Sequence, residues 1–210
     1  MPTERFLHLS ESKKALIREA AIKEFSRVPI EKVSINKIVQ NADISRGSFY
    51  TYFEDKEDLL GYIFEEFVNQ VKDFCRQCLD NNNGDFWALL SGMMEYLLQV
   101  CREKRMFVLA QTASGHEVLI KFMGNRDSGH DGMCAEEFAI QELYERTNCE
   151  NLRVDGPEDF QQLFSIGIHT MLAAIADVYK KGKDEEEAKR LFEKRLNYIR
   201  YGAVRRRGQS

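Results

Sequence analysis

Between Ser45 and Phe53 the chain reads Ser-Arg-Gly-Ser-Phe-Tyr-Thr-Tyr-Phe. Arg46, Ser48, Tyr50, Thr51 and Tyr52 are hydrogen-bonding side chains of graded length within two turns of helix. A guanidinium can grip a guanine edge or a phosphate, short hydroxyls suit base edges and thymine methyls, and phenols reach phosphates. Phe49 and Phe53 are four apart, so on a helix they share one side and leave the polar set on the other. Gly47 lowers helix stability by roughly 1 kcal/mol relative to Ala. That choice is sensible at a helix start whose backbone must come close to a groove. The chemistry is recognition of a duplex, not bond making.

The surrounding sequence supplies elements to hold such a helix. Ser10 or Ser12 can cap a helix to about Arg27, with Ile17, Ala20, Ala21 and Phe25 on one stripe, and Pro29 ends it. Ser34 suits the N-cap of a second helix whose inner face is Ile35, Ile38, Val39 and Ala42. Asn41-Ala42-Asp43-Ile44 is a tight turn, and Asp43 is a residue type that tolerates left-handed backbone. Ser45 caps the helix that carries the polar set. Phe49 and Phe53 can then face a small core of Ile17, Ala21, Phe25, Ile35 and Ile38. Asp55 caps a long helix to about Leu79, with Lys56 in its first turn. Ser34 and Lys56 sit at helix N-termini, where free N–H groups favour a phosphate. Lys37 is a further phosphate candidate. The duplex-binding set is therefore Ser34, Lys37, Ser45, Arg46, Gly47, Ser48, Tyr50, Thr51, Tyr52 and Lys56. Residues 1–9 read as a loose arm.

The rest predicts an all-α body. Asn81 to Gly84 is a break, followed by helices over Asp85–Arg102, Met106–Ala113, Ala135–Thr147, Pro157–Lys181 and Asp184 to about Arg206, with a polar loop from Gly124 to Gly132. The whole makes about nine helices in two domains, 1–54 and 55–210. The 210 residues carry a net charge of −4 and only three Pro. Residues 1–56 hold ten Lys/Arg against eight Asp/Glu, and the remainder 20 against 26, so the basic end is the reader. No apolar run reads as long enough to span a bilayer and no signal-peptide core follows the N-terminus, which places the chain in the cytoplasm. Five Cys is an odd, scattered number that fits reduced thiols.

Other residues that invite chemistry fit plainer roles. Cys75 and Cys78 form a C-x-x-C on a helix without a second pair at zinc spacing, which suits core thiols better than a metal site. His116, His130 and His169 are isolated, so no metal or other cofactor is expected. Arg205-Arg206-Arg207 fits a solvated tail. There is no nucleophile elbow, phosphate-cradling Gly loop or set-apart carboxylate pair, so the reading is not an enzyme. Phe67, Trp87, Met94, Phe107, Phe164 and Ile168 could line an adaptable apolar cavity, with Gln111 as a polar group.

The block AAIKEF (20–25) and the stretch VSINKIVQNADISRGSFYTYFEDKEDLL (33–60) resemble the DNA-binding domain of the TetR family of bacterial one-component transcriptional regulators. Ser34, Ile38, Ala42, Ser45, Arg46, Gly47, Ser48, Phe49, Tyr50, Tyr52, Phe53, Lys56, Glu57 and Leu59 fit the family pattern. Val39 stands where a small Ala is usual, and Asp43 where the turn has Gly. The resemblance covers about residues 10–60. It implies a regulator of transcription, more often a repressor, that binds double-stranded operator DNA as a homodimer. It also implies a small-molecule effector bound among the middle helices, tilting the helix from Lys56 and respacing the paired reading helices. The last two long helices would form the dimer, with Ile168, Met171, Ile175, Leu196 and Ile199 as interface candidates and small residues such as Gly167 allowing close approach. Two other readings remain open: a helical regulator whose body binds a protein partner, and a small helical enzyme or carrier that does not bind DNA.

Overall fold

A computed structural model of the chain describes residues 2–104 and 135–202. In chain order its helices are α1 (Glu4–Leu7), α2 (Glu11–Phe25), α3 (Ile35–Asn41), α4 (Arg46–Tyr52), α5 (Lys56–Asn81), α6 (Phe86–Lys104), α7 (Ala135–Arg146), α8 (Pro157–Lys181) and α9 (Glu185–Tyr201), with a 3-10 turn at Ile30–Lys32. Among the described residues there is no strand, and the all-α class read from the sequence holds. The expected helix at 106–113 and loop at 124–132 lie outside the described residues, as do Phe107, Gln111, His116, His130 and the Arg205–Arg207 run.

The chain divides into two compact units. One is built on Met1–Lys72 with Val100–Asp131, the other on Asp73–Gln99 with Gly132–Ser210. In the first, the apolar stripe of α2 meets α3, α4 and the start of α5. Ile17, Ala21, Ile38, Phe49, Phe53 and Leu59 are fully buried. Val39 is accommodated too, buried where the family favours Ala. An Arg18–Glu66 ion pair ties α2 to α5.

In the second unit, aromatic side chains lock three helices together. Phe160 of α8 packs edge-on against Phe86 of α6, with ring centroids 5.6 Å apart, and against Tyr144 of α7 at 5.8 Å. Gly167 shows how closely α6 and α8 approach. A methyl there would fall 2.7 and 2.9 Å from the two δ-carbons of Leu90. The small residue thus serves packing inside the chain, not the approach of a second chain that the sequence suggests.

Several local expectations change. The N-terminal segment is not a loose arm: Glu4–Leu7 form α1, and Phe6 is fully buried. The cause is aromatic, since Phe6 inserts between Phe53 and Tyr62 at 4.6 and 4.9 Å. Ser34 occupies the N-cap of α3, but its side chain makes no capping bond. α9 ends at Tyr201, not near Arg206, because Gly202 takes a positive φ of 79°. Pro157–Tyr179, a stretch of 23 residues, is apolar enough to cross a membrane by length and composition, where the sequence reading finds no such run. The reason is its make-up: residues 160–176 contain no Asp, Glu, Lys or Arg.

Candidate nucleic-acid interface

The turn between α3 and α4 forms with aspartate where glycine is usual. Asp43 adopts φ 50°, in the left-handed region. The Ile44 N–H reaches back to the Val39 carbonyl at 3.0 Å. Lys13 of α2 fixes the same bend from outside, donating from Nζ to the carbonyls of Ala42 at 3.3 Å and Asp43 at 2.8 Å. Ser45 then caps α4 as its sequence position predicts, its Oγ accepting the Ser48 N–H at 2.9 Å.

α4 is seated from behind by Phe49 and Phe53, both without solvent exposure. Of the polar side chains read on this helix, Arg46 and Tyr50 are exposed and Ser48, Thr51 and Tyr52 are half-buried. Arg46 lies flat along it: Nη1 donates to Asn36 Oδ1 at 2.8 Å, Nη2 donates to the Tyr50 hydroxyl at 3.3 Å, and the guanidinium stands 5.7 Å from the Tyr50 ring centre. The long side chain is thus pre-aligned, each terminal nitrogen holding one partner, which reduces the entropy lost on binding. Tyr50 is 48% exposed. Thr51 donates its hydroxyl to the Gly47 carbonyl at 3.0 Å, which uses its proton and leaves its methyl and its acceptor lone pairs to offer. At Gly47 an added methyl would meet only Ser45 Oγ, at an ordinary 3.6 Å. Among the described residues nothing calls for glycine there.

Between the start of α3, the first turn of α4 and the start of α5 lies an open groove of about 330 Å³, lined by Ser34, Asn36, Arg46, Tyr50 and Lys56 among others. Asp55 and Glu57 also line it. One Asp55 oxygen is committed to the α5 cap, accepting the Asp58 N–H at 2.7 Å. Lys56 Nζ donates to the Glu31 carbonyl at 3.3 Å. Lys37 is exposed on α3, and Tyr52 is half-buried against Phe6.

Besides Lys13, sequence reading overlooked Asn36 and Glu24 here. Asn36, which aligns Arg46, lies ten positions away on another helix and carries no spacing signal. Glu24 was legible: it stands beside Phe25 on the buried side of α2, three residues before Arg27, a natural helical pairing. Its carboxylate is buried and accepts from Arg27 at 2.9 and 2.7 Å and from the Ser34 N–H at 3.3 Å. It thereby satisfies the N–H of the N-cap residue of α3, a different donor from the one a capping Ser34 side chain would take. The Arg27 hydrogen bond, opposed by burial and helped by the Ser34 N–H, holds the Glu24 carboxyl below its ordinary 4.5. A carboxyl depressed on folding adds stability that is complete above its unfolded value and lost as pH falls through the folded one. Glu24→Gln should therefore cost about 1–2 kcal/mol in urea unfolding at neutral pH, and the difference from the unaltered protein should vanish in acid below the folded value. An equal difference at both pH values would contradict the ionised role.

The remaining candidates belong to both units. Phe67 belongs to the first unit, and Trp87, Met94, Phe164 and Ile168 to the second. Met94 and Ile168 are buried in the core. Trp87 packs against Phe86 at 5.1 Å and under Arg200 at 5.6 Å, and Phe164 stacks on Phe160. Met171, Ile175 and Leu196, read as interface candidates along with Ile168, are also buried within the single chain, and Ile199 is half-buried. Burial pushes the Cys75 thiol up to about 12 and raises Cys78 as well, so neither is a ready thiolate.

These features define a helix-turn-helix protein with a helical body. Residues 17–63 match the family described as bacterial regulatory proteins, tetR family, and residues 85–203 match the tetracyclin repressor-like C-terminal domain. The chain belongs to the TetR family. It is 34% identical over 94 residues to the uncharacterized HTH-type transcriptional regulator YvdT of Bacillus subtilis (strain 168), covering 44% of this chain and 48% of that one. It is 31% identical over 83 residues to an HTH-type transcriptional regulator of Staphylococcus aureus (strain bovine RF122 / ET3-1), covering 40% and 44%. The chain thus spans about half the length of the curated relatives it matches. A solved structure from Pseudomonas aeruginosa PAO1, described as a candidate transcriptional regulator, aligns with a TM-score of 0.60 at 17% identity over 95% of this chain and 96% of that one. At that identity the likeness is one of fold.

Proposed function

We propose that the chain is a homodimeric, cytoplasmic regulator of transcription that reads double-stranded operator DNA with α4. The observation that carries this is a helix with two buried phenyl rings behind it and a pre-aligned Arg46–Tyr50 pair in front. Arg46 supplies the bidentate contact suited to a guanine edge, Ser48 and the Thr51 methyl meet neighbouring bases, and Gly47 lets the helix start approach. Ser34, Ser45, Lys37, Lys56 and Tyr52 hold phosphates around the groove. Residues 1–54 are assigned to reading, and 55–210 to dimerisation and effector binding.

The dimer face follows from charge. Ile166, His169 and Ala173 are exposed on α8 at one helical stripe, within a stretch that has no charged side chain, and Tyr198 is exposed on α9. A second copy covers this face in an isologous contact. To meet successive major grooves on one face of DNA, the paired reading helices must lie about 34–36 Å apart. Following the family's habit, the regulator represses, and a small-molecule effector in the body releases it by altering that spacing. Repeated selection by the intact protein from a random duplex library tests the reading. A two-fold symmetric sequence with half-sites about one turn apart is expected. A pool that remains random would refute it.

A further inference from the structure

The helix that carries the Arg46–Tyr50 pair ends without help from its own sequence. Phe53, its C-cap, is extended at φ −134° and ψ 143°, and no glycine follows to fold the chain back over the last carbonyls. The Phe53 N–H satisfies Phe49. The carbonyls of Thr51 and Tyr52 would be left to water, as helix ends ordinarily leave them. Both are instead taken by one distant residue. Thr3 donates its backbone N–H to the Tyr52 carbonyl at 3.0 Å and its Oγ1 hydroxyl to the Thr51 carbonyl at 2.8 Å. One turn later Phe6, fully buried, closes the aromatic cluster behind the same end, its ring 4.6 Å from Phe53, 4.9 Å from Tyr62 and 6.0 Å from Tyr52. The other end of α4 has an outside support too, because Lys13 holds the two carbonyls of the turn that leads into it. Thr3, Phe6 and Lys13 all precede residues 17–63, the part that matches the family's DNA-binding model.

We infer that Thr3 and Phe6 are positioning residues for sequence recognition: the N-terminal segment caps the far end of α4 and fixes the helix that carries the base-reading side chains. This rests on the proposal that α4 reads DNA. The segment contributes no contact to the duplex in this scheme. It acts by restricting α4 to one orientation, so it sharpens the discrimination between sequences and leaves general attraction to DNA unaltered. A loosened α4 still presents its positive charge to phosphates, but no longer holds Arg46 and Tyr50 in register with a base edge.

The test uses the full chain and a duplex selected from a random library by the unaltered protein. Affinities for that duplex and for a scrambled duplex of equal length are compared for Thr3→Val, Thr3→Ser, Phe6→Ala and Phe6→Leu. Amide hydrogen exchange is followed across Phe49–Phe53. Thr3→Val with Phe6→Ala should lower affinity for the selected duplex by about tenfold and for the scrambled one by less than about twofold. Exchange at the end of α4 should speed up while α8 and α9 stay protected. Thr3→Ser, which retains the hydroxyl, should restore the first, and Phe6→Leu should restore part of it. Unchanged discrimination would overturn the inference whether or not exchange accelerates. An equal fall on both duplexes would also overturn it, by showing a loss of general binding or of fold. If the unaltered protein selects no sequence, the DNA reading itself fails before any variant is compared, and the inference goes with it.

Discussion

Alanine at both Arg46 and Tyr50 is expected to lower affinity for the selected duplex by at least about a hundredfold while affinity for scrambled DNA falls far less. A good bidentate contact to a base is worth roughly 1–3 kcal/mol of discrimination. Arg46 is aligned for one by Asn36 and Tyr50 before any DNA arrives. Tyr50 acts in part by aligning Arg46, so the loss from both substitutions should fall short of the sum of the two single losses. Neither side chain is part of the core. The double variant should therefore keep its thermal midpoint and its dimeric sedimentation. Titration of both duplexes by fluorescence anisotropy reads the effect. Affinity for the selected duplex within threefold of the unaltered protein would remove Arg46 and Tyr50 from the reading face.

Ile166→Asp should convert the dimer to monomers, weakening association by about a thousandfold or more. Ile166 is 52% exposed in the single chain, on the uncharged side of α8. In an isologous contact the substitution places one carboxylate on each side of the same axis, so burial without a partner and like-charge repulsion act together. Because the side chain is outside the protomer's core, far-ultraviolet circular dichroism should be preserved. Sedimentation equilibrium separates the outcomes, and an undiminished dimer at micromolar concentration would move the interface elsewhere. Ile168 and Met171 make poorer probes. They are buried in the chain itself, so a charge there would break the protomer and say nothing about the contact between copies.

The contrast between Ile166 and Ile168 shows where sequence reading stops. The 3.6-residue period locates α8 and shows that it is apolar around much of its girth. It does not say which arc the chain covers with its own helices and which it leaves for a second copy. That depends on where α6 and α9 pack, and the clue was Gly167, whose lack of a side chain makes room for Leu90. The reading unit was far more legible. Its caps, turn and phenyl spacing are local signals: Ser45 caps α4, Asp43 takes the left-handed conformation its type tolerates, and Phe49 is buried. What escaped there was long-range. Thr3 reaches Thr51 and Tyr52 across 48 and 49 positions of sequence, and no periodicity announces such a contact. Asn36 and Lys13 escaped for the same reason.

Dimethyl sulfate protection of the selected duplex is the most direct measurement of whether α4 enters a groove. The reagent marks guanine at N7 in the major groove and adenine at N3 in the minor groove. With the unaltered dimer bound, guanines in both half-sites should be protected at N7, in two clusters about one helical turn apart, and the Arg46→Ala Tyr50→Ala protein should leave them open. Protection confined to adenine N3, or N7 protection that survives the double substitution, would contradict the account.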